Sequence, residues 1–143
     1  MKIYTIGYEA TTMGEFLAAL KGAGVERLID VRALPLSRRP GFSKNILAAS
    51  LRDVGIDYVH LKNLGTPKAG RDAAKKGDVA TLEAAYDVQL GLPEAQAEAA
   101  RMRALAAEKP SALLCFERDP SHCHRTLLLD AEGEGAEVID LFP

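Results

Sequence analysis

Five short apolar runs, separated by segments with helical spacing, constrain this chain more than any other feature, because strands that alternate with helices close into a parallel sheet covered by helices. Lys2 to Ile6 reads as a buried strand, and Thr12-Met-Gly-Glu15 then offers a capping box. Phe16, Leu17 and Leu20 follow at helical spacing, with Gly22 and Gly24 placed to end the helix. Arg27 to Val31 is the second run. After a long polar connection, Ser43 can cap a helix carrying Ile46, Leu47, Leu51 and Val54, which Gly55 ends. Ile56 to Leu61 supplies a third strand, short and mixed in character. Ser111 to Phe116 reads as the fourth, Asp119-Pro120 as the start of a helix, and Val138 to Leu141 as the fifth strand.

Between the third and fourth runs lies an excursion at about 62–109. Its first part, Lys62 to Gly77, is rich in Gly, Lys and small residues and reads as a connection, either a functional loop or lid or a plain surface loop. Asp78 then caps a helix through Leu90, and Pro93 opens another that runs Ala-rich to Glu108 before Pro110. The expected architecture is one α/β domain over residues 1–143, with a mostly parallel sheet of about five strands flanked by helices in Rossmann-like layers. A chain of 143 residues, 48% hydrophobic, suffices for one such core and not two.

The formal net charge of −2 creates no general field toward nucleic acid or an acidic membrane, so an anion site must be a local cluster. Two cysteines without a signal peptide do not suggest a secreted disulfide scaffold, and no apolar stretch approaches the ~18 residues of a membrane span. A soluble cytoplasmic protein without a membrane partner is the expectation.

In parallel sheets ligands gather beyond the carboxyl ends of the strands. The first exit contributes Gly7, Tyr8 and Glu9, the third His60, and the fourth the segment Cys115 to Arg125, which holds both cysteines and two of the three histidines. The second exit, Asp30 to Lys44, carries four basic residues against one acidic. Arg32, Ser37, Arg38, Ser43, Lys44 and, from the fourth exit, Arg125 therefore read as an anion site, with phosphate the leading ligand and Arg32 its first contact. The competing reading makes Arg38 and Arg39 solvated side chains around a Pro-Gly turn.

Cys123 reads two ways. In the first turns of a helix starting near Pro120, it is a dipole-stabilised thiolate nucleophile; on a buried stripe with Leu127 and Ala131, it is a packing residue. Cys115, ending a strand, reads as an inert core thiol. His124 and His60 are candidate acids or bases, with Glu117 to orient one of them, while His60 also suits a structural hydrogen bond. Glu9 can pair with Arg32 or Arg125, and Asp30 can orient an arginine. Zinc spacings are absent, and on a helix His122, Cys123 and His124 point ~100° apart, so no metal is expected. The residues specify no cofactor.

The motifs Tyr4-Thr-Ile-Gly-Tyr-Glu9, Asp30-Val-Arg-Ala-Leu-Pro-Leu-Ser-Arg-Arg-Pro-Gly-Phe-Ser-Lys44, Tyr58-Val-His60 with Leu64-Gly65, and Leu114-Cys-Phe-Glu117 with Cys123-His-Arg125 occur in this order. With them the chain resembles, over nearly its whole length, the family labelled domain of unknown function 488. The resemblance implies a small stand-alone prokaryotic α/β protein whose polar motifs assemble into one site, and it brings no reaction with it. The residues it carries over are Gly7, Glu9, Asp30, Arg32, Pro35, Ser37, Arg38, Phe42, Ser43, Lys44, His60, Cys115, Glu117, Cys123, His124 and Arg125.

Three functions follow as expectations. The first is an enzyme, a hydrolase or transferase, acting on a phosphorylated small molecule, nucleotide or nucleic-acid end through Cys123 and His124. The second is a non-catalytic module that binds a nucleotide or nucleic acid through the basic loop. Stacking on single strands is disfavoured by the absence of Trp and a total of eight Phe plus Tyr. The third is a thiol redox protein pairing Cys115 with Cys123, which requires Cα atoms within about 7 Å. The Ala-rich excursion offers a surface for a homodimer.

Overall fold

The computed structural model describes residues 1–143, the side chain of His122 excepted. Five strands, β1 (Lys2–Gly7), β2 (Arg27–Asp30), β3 (Asp57–His60), β4 (Ser111–Cys115) and β5 (Glu137–Leu141), form one sheet in the order β3-β2-β4-β1-β5. Every strand pair is parallel. The order places β4 between β2 and β1, with Cys115 level with Gly7 and Leu114 level with Asp30. Three strand ends therefore open side by side at one edge.

The helices are α1 (Met13–Gly22), α2 (Lys44–Asp53), α3 (Lys68–Lys75), α4 (Val79–Leu90), α5 (Pro93–Glu108) and α6 (His124–Glu132). On one sheet face Ile6, Leu28, Ala112 and Leu114 bury Phe16 and Leu20 of α1 and Leu47 and Leu51 of α2. On the other, Ile3, Ile29, Val31 and Leu113 cover Tyr86 and Leu90 of α4, Ala99 and Met102 of α5, and Leu128 of α6. Each fully buried Leu, Ile or Phe contributes ~1.5–3 kcal/mol, which is why the central strands β2 and β4 are buried at every position, whereas the edge strands β3 and β5 are mixed. The three-layer α/β expectation holds, and the sheet is parallel throughout.

Local signals account for most boundaries. Thr12 caps α1 reciprocally: its hydroxyl accepts from the Glu15 amide at 3.2 Å, and its own amide donates to Glu15 Oε1 at 3.1 Å. Asp78 caps α4 through the Thr81 amide at 3.1 Å, and Pro93 stands in the first turn of α5. Two expectations need correction. Residues 62–77 are not an extended loop, since Lys62–Leu64 forms a 3-10 turn and Lys68–Lys75 the helix α3, supported by a Lys68–Asp72 ion pair at 3.0 Å. Ser43 does occupy the N-cap of α2 but makes no cap bond, because its hydroxyl is engaged with Ser37 inside the preceding loop. Among the described residues, no helix is long and apolar enough to cross a membrane.

Candidate dithiol site

Beyond the carboxyl ends of β1, β2 and β4 lies a cavity of about 1490 Å³. Its walls come from the loops after those strands, from α3 and α4, and from the start of α6. Two glycines permit the loops to meet there. A Cβ on Gly7 would overlap the Glu117 carbonyl, and one on Gly65 would overlap the Ala33 backbone. The Tyr8 and Glu9 amides share the Phe116 carbonyl, at 3.1 and 2.9 Å, and Glu9 Oε1 accepts from the Arg118 amide at 3.0 Å. Glu9 thus braces the turn after β4 instead of pairing with Arg32 or Arg125. Gly7→Ala is expected to force these loops apart and cost about 1–3 kcal/mol, measured as a lower urea midpoint at unchanged slope.

Cys115 and Cys123 form a disulfide that lines this cavity, with their Cα atoms 7.1 Å apart. Both residues are buried. This corrects the reading of Cys115 as an inert core thiol. It also corrects the placement of Cys123, because Pro120–His122 is a separate 3-10 turn and α6 begins only at His124. Cys123 is therefore the extended N-cap residue of α6, at φ −130° and ψ 150°, and not part of a helical stripe. The buried positions of α6 are His124, Arg125, Leu128 and Leu129, whereas Ala131 is exposed.

His124 lies against the disulfide. Its Nε2 is 2.7 Å from the Val31 carbonyl and its Nδ1 is 3.8 Å from Cys123 Sγ. A carbonyl only accepts, so Nε2 carries the proton and Nδ1 turns a lone pair toward the sulfur. Tyr86 packs edge-on to the ring at 5.4 Å. Burial pushes the His124 pKa down to about 4; the Val31 bond and Asp30 oppose this and Arg125 reinforces it. The imidazole is neutral at pH 7. The set of candidate metal donors changes accordingly: Cys115, Cys123 and His124 offer ligand atoms all within 4.8 Å of one another, since an extended Cys123 removes the helical divergence expected of these residues. His122, named with them, lies outside the described side chains.

Part of the basic loop is put to other uses, while Arg38 and Arg39 line the cavity. Arg32, expected to grip an anion, is buried with Nε and Nη2 on the two oxygens of Asp30 at 2.9 and 2.8 Å and Nη1 on Tyr8 Oη and the Phe42 carbonyl at 3.1 and 2.8 Å. Tyr58 donates to the same Asp30 carboxylate. Burial alone would lower the Arg32 pKa, but the hydrogen bonds and charge of Asp30 outweigh it and raise it. Burial and then Asp30 likewise raise the pKa of Tyr58. His60, a candidate base, donates from Nε2 to the Arg32 carbonyl at 2.7 Å and does not line the cavity. Ser37 and Ser43 stitch the loop together, through Ser37 N to Ser43 Oγ at 3.0 Å, and Lys44 is exposed away from the cavity.

Arg125 is fully buried beside the charges of Asp140, Glu117 and Asp119, donates to the Arg118 carbonyl at 3.0 Å, and also stays out of the lining. Burial lowers its pKa. Of the predicted residues the cavity gathers Glu9, Arg32, Ser37, Arg38, Glu117, Cys123 and His124. It leaves out Asp30, Ser43, Lys44, His60 and Arg125. It adds Arg71 and Lys75, four residues apart on α3, which sequence reasoning passed over by treating the segment as a loop. Their helical spacing was the available signal.

A parallel sheet with helices on both faces and a cavity over its carboxyl ends makes this a layered α/β protein. Residues 12–131 match the model of the family described as Domain of unknown function DUF488, and the chain belongs to that family. Comparison with curated proteins and with solved structures finds no match.

Proposed function

We propose that the protein is a dithiol enzyme that exchanges electrons with a small charged thiol or disulfide. The observation that carries this reading is the Cys115–Cys123 pair on the cavity wall with the unprotonated Nδ1 of His124 beside Cys123. In the reduced protein, Cys123 is the attacking group, because it stands at the N-terminus of α6, where the dipole favours a thiolate. Its proton is lost to solvent, since burial keeps His124 neutral, and the sulfur, beside the His124 Nδ1 lone pair, attacks one sulfur of the substrate disulfide. The leaving thiolate takes a proton from solvent. Cys115 then loses its own proton to the second substrate sulfur as it attacks Cys123, releasing the second thiol and restoring the internal disulfide. One dithiol and one substrate disulfide become one disulfide and two thiols.

The charges around the cavity support a zwitterionic substrate. Arg38, Arg39, Arg71 and Lys75 line it from the β2–α2 loop and α3, and Glu83 and Asp130 line it from α4 and α6. The phosphorylated-ligand reading drew on Arg32, Arg38 and Lys44; Arg32 is held by Asp30 and Lys44 stands outside the cavity, which leaves Arg38 in the lining.

The test is stopped-flow oxidation of metal-free, reduced protein by glutathione disulfide, with an uncharged disulfide for comparison. Wild type should return to the internal disulfide and release two thiols per chain. Cys115→Ser should arrest as a mixed disulfide on Cys123, and Cys123→Ser should react at the rate of an ordinary buried thiol. Arg71→Ala should slow the charged substrate about 10-fold or more, as loss of a charge-assisted contact does, and leave the uncharged one unaffected. Equal reactivity of wild type and Cys123→Ser would sink the proposal.

A further inference from the structure

We infer that, once reduced, Cys115, Cys123 and His124 form a binding site for a thiophilic divalent cation of the zinc type, with a fourth position open to the cavity. From the dithiol reading this needs only that the Cys115–Cys123 bond opens under reductant. Among the described residues, these three are the group of His, Cys, Asp and Glu side chains whose ligand atoms all lie within 4.8 Å of one another.

The spacings fit a tetrahedral ion. With Zn–S near 2.3 Å and Zn–N near 2.0–2.1 Å, two ligands at the tetrahedral angle stand about 3.6 Å apart for S and N and about 3.8 Å for S and S. Cys123 Sγ and His124 Nδ1 are already 3.8 Å apart. The two sulfurs must separate when the bond opens. The Cα distance of 7.1 Å, at the outer limit of disulfide reach, leaves room for an ion between them without moving the end of β4 and the start of α6 apart.

The remaining ring nitrogen supplies an independent indication. Zinc-bound histidines donate their second N–H to a carbonyl or carboxylate that fixes tautomer and ring orientation, and His124 Nε2 makes such a bond to Val31 at 2.7 Å. Nδ1 is thereby held bare toward the sulfurs. All three donors are buried, and all three also line the cavity, so an ion there keeps one face accessible to a substrate or water. Two thiolates and one neutral imidazole with an open position are the donor set of catalytic zinc sites of the Cys2His kind.

Binding converts two thiols to thiolates and releases two protons per ion. The same atoms cannot hold the ion and the disulfide together. When a disulfide substrate oxidises the loaded site, the two thiolates are oxidised to Cys115–Cys123, the substrate takes up their two electrons together with two protons from solvent to become two thiols, and the ion departs. The site is in that sense a redox-gated metal site.

Cobalt(II) reports the donors directly. Titrated anaerobically into protein reduced with a phosphine and freed of excess reductant, it should bind one ion per chain. The spectrum should show thiolate-to-cobalt charge transfer in the near ultraviolet and the intense visible bands of a four-coordinate ion, and zinc should displace it. A weakly buffered indicator should register two protons released per ion. The disulfide-bonded wild type should show none of these bands, and Cys115→Ser and Cys123→Ser should each lose most of the charge-transfer intensity, with circular dichroism reporting whether they fold. If the serine variants do not fold, reduced against disulfide-bonded wild type decides alone. Absence of the charge-transfer bands in reduced wild type, or their full persistence in a folded Cys123→Ser protein, overturns the inference. Exchange with glutathione disulfide in metal-free protein is read separately. Failure there with cobalt bands intact removes the dithiol enzyme and leaves the metal site, and the reverse result removes the metal site alone.

Discussion

Arg32→Ala is expected to lower the stability of the protein by about 3–5 kcal/mol, because it strands a carboxylate in the core. The Arg32 and Asp30 side chains are 6% and 0% exposed, so solvent screens their attraction little. Without the guanidinium, Asp30 keeps its hydrogen bonds from Tyr58 and the Arg32 backbone amide but loses both charge-assisted contacts. Tyr8 loses a stacked cation 5.3 Å from its ring, and the Phe42 carbonyl loses its donor. In thermal unfolding the variant should melt on the order of 10 °C lower. Arg32→Met combined with Asp30→Leu, which removes both charges and preserves volume, should recover most of the loss. Were Arg32 instead a ligand-binding group, Arg32→Ala would melt close to wild type when no ligand is present, and the double replacement would offer no recovery.

The second large effect is an acid-side loss of stability traceable to His124. An ordinary histidine titrates near 6.5, and burial holds this one near 4 in the folded protein. Between these values the unfolded chain binds a proton that the folded chain refuses, so unfolding is favoured as the pH falls. The stabilising contribution is complete above pH 6.5, declines from 6.5 toward 4, and is exhausted below 4. Integrated over that window it is on the order of 3 kcal/mol. Carboxylates titrate over the lower part of the same range, so the informative quantity is a difference. Urea midpoints of metal-free, disulfide-bonded wild type and His124→Asn should converge as the pH is lowered from 6.5 to 4. Parallel pH profiles would mean that the folded protein accepts a proton on His124 at ordinary pH, as an exposed imidazole does.

The elements differ in how plainly the chain announces them. Strands β1, β2 and β4 are legible because a strand buried on both faces is apolar at most positions, as at Ile29, Leu113 and Leu114. The capping box of α1 and the Pro93 start of α5 are legible because they satisfy amide groups within a few residues. Helix α3 was missed for the complementary reason. It is eight residues long with four of them charged, too short to be stable by itself, and exists by packing Gly70 and Ala73 inward beside α4. With it went Arg71 and Lys75, two of the five Lys and Arg residues of the lining.

The site divides along the same line. That polar residues would collect at the ends of β1, β2 and β4 follows from strand direction, and Cys123, His124 and Glu117 are found there. Which of them act and which are spent is a matter of angstroms between segments far apart in the chain. Residue identity marks Arg32 as an anion-binding group, yet Tyr8, Phe42 and Tyr58, brought in by three separate segments, close a buried shell around it and Asp30. Helical spacing drives Cys123 and His124 apart, yet one extended residue before α6 brings them together against Cys115. Periodicity and capping are local energies, written in neighbouring residues; the direction of a guanidinium or the meeting of two sulfurs depends on strand order, and β4 inserted between β1 and β2 is what placed these groups around one cavity.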